Sequence, residues 1–196
     1  MPPALTRLDR LAATLAARTP RTVEDRTRGL AAVAIVLVEQ PEAVLLIRRA
    51  EREEDRWSGQ MAFPGGRWSE DDPDLQATAR RETLEEVGVD LSGADVLGVL
   101  DDVAPRTPVL PPLIVRPYVF RLADRQRLVP NHEVAGAAWI ELTALTQEGV
   151  YRAFEYQAPG SSLLLPGYHL PEGVVWGMTE RILTPLLGMA DRWAIP

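Results

Sequence analysis

The chain has 196 residues, 46% of them apolar and 25% charged, with 21 Lys plus Arg against 28 Asp plus Glu and a net charge of −7. This composition excludes a disordered protein and fits one globular domain over residues 1–196. Because a non-specific duplex binder normally carries a basic face, the acidic balance argues against nucleic acid as a partner. Since cysteine is absent, disulfides, thiolate zinc sites and cysteine nucleophiles are excluded.

Neither a membrane span nor a secretory leader is expected. The longest apolar run, Leu30 to Val38, has nine residues, about half of what a spanning helix requires. Residues 1–20 carry several charges and lack the continuous apolar segment of a signal peptide. We therefore expect a cytoplasmic protein that has no membrane partner.

The first half of the chain mixes helical and strand patterns. Leucines spaced by three and four predict an amphipathic helix within residues 1–20. The apolar runs Leu30–Val38 and Ala43–Ile47, separated by a turn signal, predict a hairpin of buried strands. A short strand from Met61 is expected to end at Pro64-Gly65-Gly66, where a loop follows.

A helix is predicted next, with Asp72 as its N-cap, Pro73 at its first position and Gly88 at its end. Its core-facing side is expected to carry Ala77, Leu84 and Val87.

The second half continues without a regular alternation of strand and helix. The expected strands are Val96–Val103, Leu113–Leu122, Ala137–Ile140 and Tyr151–Tyr156. A short helix is expected at Leu142–Gln147, a Pro/Gly-rich turn after Tyr156 and a closing helix at residues 174–187. This order of elements predicts an α+β (mixed α/β) fold.

Three carboxylates share one face of the predicted helix, because Glu82, Glu85 and Glu86 stand at positions i, i+3 and i+4. Like charges at this spacing weaken a helix, so a cation is expected to neutralise them. Three hard oxygen donors on a rigid element suit Mg²⁺ or Mn²⁺, whose remaining positions take waters and phosphate oxygens.

Each of these features also has an ordinary structural explanation. A Glu-Glu pair on a helix is most often a solvated surface, and Gly65-Gly66 alone is typical of a turn. The combination favours a site, since a glycine pair near such a helix lets the backbone approach a phosphate closely.

The segment over residues 65–89 resembles the Nudix box. Gly66, an acid at Asp72, and Arg-Glu-x-x-Glu-Glu-x-Gly followed by an aliphatic residue, from Arg81 to Val89, carry the resemblance. Asp72 stands where the family has Glu, eight residues instead of seven separate it from Arg81, and Thr83 replaces an aliphatic residue. Further segments are similar to the coenzyme A pyrophosphatases of that superfamily, namely Leu45-Leu46 with Arg49, residues 59–66, 77–79 and 100–102, and 176–179.

The resemblance implies a Nudix-type α/β/α sandwich with a mixed β-sheet, and it assigns roles to named residues. Glu82, Glu85 and Glu86 would bind Mg²⁺ or Mn²⁺, and one of them, such as Glu82, would deprotonate the attacking water. Arg81 would orient a glutamate of this trio. The phosphates would meet the backbone or guanidinium groups of four residues, Arg49, Gly65, Gly66 and Arg67. Additional site positions are Asp72, Asp102 and Glu133, for which a solvated or structural acid is the alternative.

The implied reaction is metal-dependent hydrolysis of the diphosphate in coenzyme A or a related nucleoside diphosphate derivative. ADP-ribose, dinucleotides and nucleoside triphosphates are the alternative substrates. A non-catalytic ligand-sensing module is the alternative of another class, because a fold does not dictate a function. The resemblance also admits a homodimer, for which the apolar segments Leu163–Leu165 and Leu186–Leu187 would serve as either interface or core.

Overall fold

The computed structural model describes residues 5–25, 27–53, 57–105, 110–158 and 161–189. Along the chain these form α1 (Arg7–Ala16), β1 (Gly29–Glu39), β2 (Glu42–Arg49), β3 (Met61–Ala62), β4 (Gly65–Arg67), α2 (Leu75–Val87), β5 (Asp95–Val99), β6 (Leu113–Arg121), β7 (Val134–Glu141), α3 (Leu142–Leu145), β8 (Tyr151–Ala158), β9 (Ser161–Leu170), β10 (Gly173–Trp176) and α4 (Gly177–Met189). Within these described ranges, every helix is too short or too polar to cross a bilayer.

Seven strands form one mixed sheet with the order β3-β2-β1-β6-β5, in which β4 also pairs with β1 and β7 with β2. The predicted hairpin is confirmed, because β1 and β2 pair antiparallel through Leu37–Val44 and Val38–Ala43. β1 pairs in parallel with β6, while its pairing with β4 is antiparallel. The predicted mixed sheet is therefore confirmed.

Each face of this sheet supports its own apolar core. Ala34 and Val36 of β1 pack with Leu75, Ala79 and Val87 of α2. The alternate residues of β1, among them Ile35 and Leu37, pack on the opposite face with apolar residues of α1 and α4. Because successive strand side chains point to opposite faces, one strand serves both cores. The sheet thus lies between α2 on one side and α1 with α4 on the other, which is the expected α/β/α sandwich.

A second sheet has three antiparallel strands in the order β10-β9-β8, and β8 includes the strand predicted at Tyr151–Tyr156. Residues 159 and 160 of the predicted Pro/Gly-rich turn lie outside the described residues. β9 itself was not predicted, because Pro166 and Gly167 are turn signals, although both lie within this strand. Gly167 is required by close packing, since a Cβ there would lie 2.9 Å from Cγ1 of Val174 and 3.0 Å from the carbonyl oxygen of Val175. Residues 174–176 accordingly belong to a strand, and α4 begins at Gly177 rather than at residue 174.

Two smaller expectations also need correction. The strand predicted to reach Val103 ends at Val99, and Val103 forms only an isolated bridge with Val115. The two leucine-rich segments differ in their environment: Leu186 and Leu187 are fully buried in the core, whereas Leu163 and Leu164 are 47% and 75% exposed.

Candidate active site

Helix α2 carries the glutamates and is fixed at both ends by local contacts. Its N-cap is Asp74, whose side chain accepts a hydrogen bond from the backbone N–H of Ala77 at 2.8 Å. The prediction of Asp72 as the cap is therefore wrong by two residues. Gly88 ends the helix as predicted, with φ at +71° and its N–H donating to the carbonyl of Leu84.

The buried stripe of α2 shares only Val87 with the predicted one, and Ala77 is half-buried. Ala79, Thr83 and Val87, spaced by four, are fully buried, whereas Leu84 is 51% exposed. The hydroxyl of Thr83 donates to the carbonyl oxygen of Ala79 at 2.7 Å, so this polar side chain is satisfied inside the core. Thr83 thereby takes the buried place that the aliphatic residue of the family pattern would occupy.

The three glutamates lie on one side of α2, but their burial is graded. Glu86 is 3% exposed, and the side chains of Glu82 and Glu85 are 15% and 53% exposed. Glu86, which contacts Gly65 of β4, is thus the buried end of the trio, and Glu85 is the exposed end.

Arg81 links these glutamates to Asp72. Its Nη1 donates to Oε1 of Glu82 at 2.9 Å and to Oε2 of Glu85 at 3.0 Å. Its Nε and Nη2 donate to the two oxygens of Asp72, both at 2.9 Å, and Nη2 also reaches the carbonyl of Arg67 at 3.3 Å. A planar guanidinium held by a bidentate carboxylate is rigid, so Arg81 orients two of the three glutamates.

Asp72 is thus a buried anchor for Arg81. Its Oδ2 also accepts from the Thr78 hydroxyl at 2.9 Å and from the Ser69 N–H at 3.2 Å. The hydrogen bonds from Arg81 hold the pKa of this carboxyl at about 2, below its usual 3.8. Asp72 is shorter than the glutamate of the family pattern and one residue farther from Arg81 in the sequence, yet it still forms the ion pair. The part played by Thr78 was missed, since its residue type and position carry no distinguishing sequence signal.

Replacement of this carboxylate gives a stability prediction. Because the pKa of Asp72 is lower in the folded protein than in the unfolded chain, its contribution is complete above about pH 4 and lost as the pH falls towards about 2. A shift of this size corresponds to roughly 2 kcal/mol. We expect Asp72→Asn to lower the free energy of unfolding at neutral pH by roughly that amount and to flatten its pH dependence in this acidic range. Urea unfolding of both proteins across the range checks this, and parallel pH curves would contradict it.

The glycine pair lies in β4, not in the predicted loop, and packs directly against the glutamates. The Gly65 N–H donates to Oε2 of Glu86 at 2.9 Å. A Cβ on Gly65 would lie 2.3 Å from the carbonyl oxygen of Ala32, and one on Gly66 would lie 2.3 Å from Cδ of Glu82. The two glycines therefore permit pairing with β1 and close approach of Glu82 and Glu86 to the backbone.

Burial and neighbouring charges perturb the inner glutamates. Desolvation raises the pKa of Glu86 to about 7, the Gly65 N–H opposes this rise, and the charges of Glu82 and Glu133 add to it. Desolvation likewise raises the pKa of Glu82, against the effect of its hydrogen bond from Arg81. Arg49 acts on Glu86 in the opposite sense to its acidic neighbours. The fold therefore brings Glu133 and Arg49 into the electrostatic environment of the glutamates.

Of the remaining residues predicted for the site, Glu133 and Arg67 lie beside the glutamates and Asp102 does not. Glu133 forms an ion pair with Arg52 at 3.0 Å, beside the site. Arg67 ends β4, and its backbone contacts Arg81. Asp102 does not line the site as expected, because its fully buried side chain makes a bidentate pair with Arg116 at 2.8 and 2.9 Å. A carboxylate so enclosed and neutralised has no oxygen to offer a substrate or an ion.

The donor atoms on this face of α2 determine whether a divalent cation would fit. Glu82, Glu85 and Glu86 supply hard carboxylate oxygens, and the buried Glu86 hydrogen-bonds through Oε2 to a backbone N–H without an arginine partner among the described contacts. In the described part of the chain, no three His, Asp or Glu side chains are arranged closely enough to surround an ion. The residue types and their shared face suit a hard cation, whereas their present positions, with Arg81 bound to Glu82 and Glu85, do not surround one.

Comparison with known proteins agrees with this geometry. The family model described as NUDIX domain matches residues 27–158. The mitochondrial coenzyme A diphosphatase NUDT8 of Mus musculus is 37% identical over 177 residues, covering 86% of this chain and 80% of that protein. An uncharacterised protein of Schizosaccharomyces pombe is 43% identical over 107 residues. This match covers 52% of this chain and only 32% of that relative's length.

The fold is also found among solved structures. A MutT/nudix family protein from Enterococcus faecalis superposes with a TM-score of 0.58 at 17% identity, covering 88% of this chain and 64% of that one. The fold, the site on α2 and the match over residues 27–158 lead to one conclusion: the chain belongs to the Nudix family and is a Nudix hydrolase acting on a phosphorus-containing anhydride.

Proposed function

We propose that the protein hydrolyses the diphosphate of coenzyme A, or of a related nucleoside diphosphate derivative, with the aid of Mg²⁺ or Mn²⁺. The observation that carries this proposal is the buried Glu86, which lies beside Glu82 on α2 and accepts the Gly65 N–H. A buried carboxylate is costly, and its position among other acids favours a role in binding a cation.

The chain's own residues would organise the reaction through position and charge. Glu82, Glu85 and Glu86 would hold the cation, which when bound would neutralise phosphate charge and lower the pKa of an attached water. Arg81, fixed by Asp72, would keep Glu82 and Glu85 in place. We assign the base to Glu82, because its carboxylate lies against Gly66, one of the residues proposed to meet the phosphates. Arg49 and Arg67 would contact the phosphates from β2 and β4.

The similarity to a coenzyme A diphosphatase over most of both chains supports coenzyme A as the substrate. ADP-ribose, dinucleotides and nucleoside triphosphates are the alternatives within the same chemistry. A ligand-sensing module is disfavoured, since the sequence retains all three glutamates and the arginine that orients them. The cytoplasmic location and the homodimer stay predictions.

The test is a panel of diphosphates, namely coenzyme A, ADP-ribose, NADH and a nucleoside triphosphate, incubated with and without Mg²⁺ or Mn²⁺ and separated by chromatography. We expect metal-dependent cleavage of the diphosphate, with coenzyme A giving the highest kcat/KM and the products adenosine 3′,5′-bisphosphate and 4′-phosphopantetheine. Cleavage of another panel member alone would overturn the coenzyme A assignment. The absence of cleavage with every compound and both metals would favour the ligand-sensing alternative.

A further inference from the structure

Trp68 lies at the junction between β4 and α2. It directly follows Arg67, the last residue of β4, and its backbone N–H donates to the carbonyl oxygen of Leu30 at 2.9 Å. Its ring is 42% exposed, and within the described ranges it belongs to none of the apolar clusters of the core. The indole Nε1–H nevertheless has a fixed partner, because it donates to the carbonyl oxygen of Asp72 at 3.2 Å. This hydrogen bond ties the segment before α2 back to the end of β4.

The hydrogen bond from Trp68 completes a closed turn over residues 68–72. The Asp72 N–H donates to the carbonyl oxygen of Ser69 at 3.0 Å, and the Ser69 N–H donates to Oδ2 of Asp72 at 3.2 Å. Both polar groups of the Asp72 main chain are therefore occupied, the N–H by Ser69 and the carbonyl by Trp68. Because Asp72 is only 6% exposed, water does not readily replace either hydrogen bond.

The position of this main chain determines where the Asp72 carboxylate lies. An aspartate has a single methylene between its backbone and its carboxylate, so the carboxylate moves with the main chain. Its two oxygens accept from Nε and Nη2 of Arg81, both at 2.9 Å, and Nη2 also donates to the carbonyl of Arg67 at 3.3 Å. A bidentate pair depends on the geometry of both hydrogen bonds, so a shift of the Asp72 main chain would weaken it.

We propose that Trp68 is a positioning residue of this site. By holding the carbonyl of Asp72, its indole N–H keeps the carboxylate on Arg81, and Arg81 in turn holds Glu82 and Glu85. Phenylalanine at this position would retain an aromatic ring but could not donate the hydrogen bond. The catalytic consequence rests on the proposed function, whereas the effect on Arg81 does not require activity.

The first test follows the Nε–H resonance of Arg81 in the intact, ¹⁵N-labelled protein without added metal. The resonance is assigned by its loss in Arg81→Lys. In the wild-type protein we expect slow exchange of this proton with water, because Nε donates to Oδ1 of Asp72 at 2.9 Å. In Trp68→Phe the exchange at the same pH should be at least about fivefold faster, since the Asp72 main chain has lost one of its two hydrogen bonds.

Trp139→Phe is the matched control. Trp139 lies in β7, and its Nε1–H likewise donates to a backbone carbonyl oxygen, that of Gln126 at 3.1 Å. The control therefore removes the same kind of hydrogen bond at a place that does not touch Asp72, and we expect it to leave the exchange of the Arg81 proton unchanged. An unchanged exchange rate in Trp68→Phe, or an equal acceleration in Trp139→Phe, would overturn the proposal.

Kinetics then test whether Trp68 acts through Asp72. If the hydrolysis is present, Trp68→Phe should lower kcat by about fivefold and change KM by less than about twofold, because the substrate contacts are kept. In the Asp72→Asn background the same substitution should cause no further loss of kcat, since Arg81 has already lost its charged anchor. An unchanged kcat in Trp68→Phe, or a further loss in Asp72→Asn as large as that in the wild-type background, would overturn this role of Trp68. A protein that shows the Arg81 response but hydrolyses no compound would refute the proposed function and leave the contact between Trp68 and Asp72 as the determinant of the Arg81 position.

Discussion

Replacing Glu86 with glutamine is expected to lower kcat at saturating Mg²⁺ by at least about 100-fold while the protein stays folded. The amide retains an oxygen that can accept the Gly65 N–H, which Glu86 now binds at 2.9 Å. The substitution also removes a buried negative charge, so the free energy of unfolding should not fall. Turnover and thermal unfolding, measured on the same preparation, distinguish loss of activity from loss of structure.

Glu180→Gln is the matched control for that variant. Glu180 is also buried, at 7% exposure, but it lies in α4 and accepts hydrogen bonds from the hydroxyls of Tyr151 and Thr184, both at 2.9 Å. We expect its turnover to equal that of the wild-type protein. Glu86→Gln with turnover within about threefold of the wild-type value would remove this residue from the catalytic site.

The second large effect is expected from Gly66→Ala, which should lower kcat/KM by about 10 to 100-fold. The new methyl group would lie 2.3 Å from Cδ and Oε1 of Glu82, so this carboxylate must move. Because the obstacle is the end of a flexible side chain, we expect only a modest loss of stability. Steady-state kinetics with the preferred substrate, combined with thermal unfolding, measures both effects.

Gly65→Ala provides the contrast. Its methyl group would lie 2.3 Å from the carbonyl oxygen of Ala32 and 2.6 Å from Cα of Val33, and this backbone cannot move without breaking the pairing of β4 with β1. We therefore expect Gly65→Ala to lower the unfolding temperature more than Gly66→Ala does. Unchanged kinetics in Gly66→Ala would show that Glu82 can be displaced without cost and would contradict its assigned role.

Much of the fold follows from hydrophobic patterning and end signals. β1 and β2 are predictable because long β-branched apolar runs flank a turn, and α2 ends where Gly88 adopts a positive φ. The shared face of Glu82 and Glu86 follows from helical spacing alone. These features depend on residues close together in the sequence.

Features that depend on long-range contacts were not predictable. The three-stranded sheet was missed because Gly167 is set by its approach to Val175, a contact that sequence patterns do not show. The pairing of Asp102 with Arg116 likewise comes from neighbouring backbone segments and removes Asp102 from the expected site. The burial of Glu86 depends on the packing of β4 against α2, a long-range contact. The sequence alone therefore does not distinguish a buried glutamate from a surface one.

The most direct test of the central claim is the anomalous difference density of a crystal soaked with Mn²⁺, measured at the manganese absorption edge. Glu82, Glu85 and Glu86 are expected to surround a peak at coordination distance, and the peak should weaken in Glu86→Gln crystals soaked in the same way. An empty site at this face of α2, with manganese bound elsewhere or nowhere, would contradict the claim that these three carboxylates bind the catalytic cation.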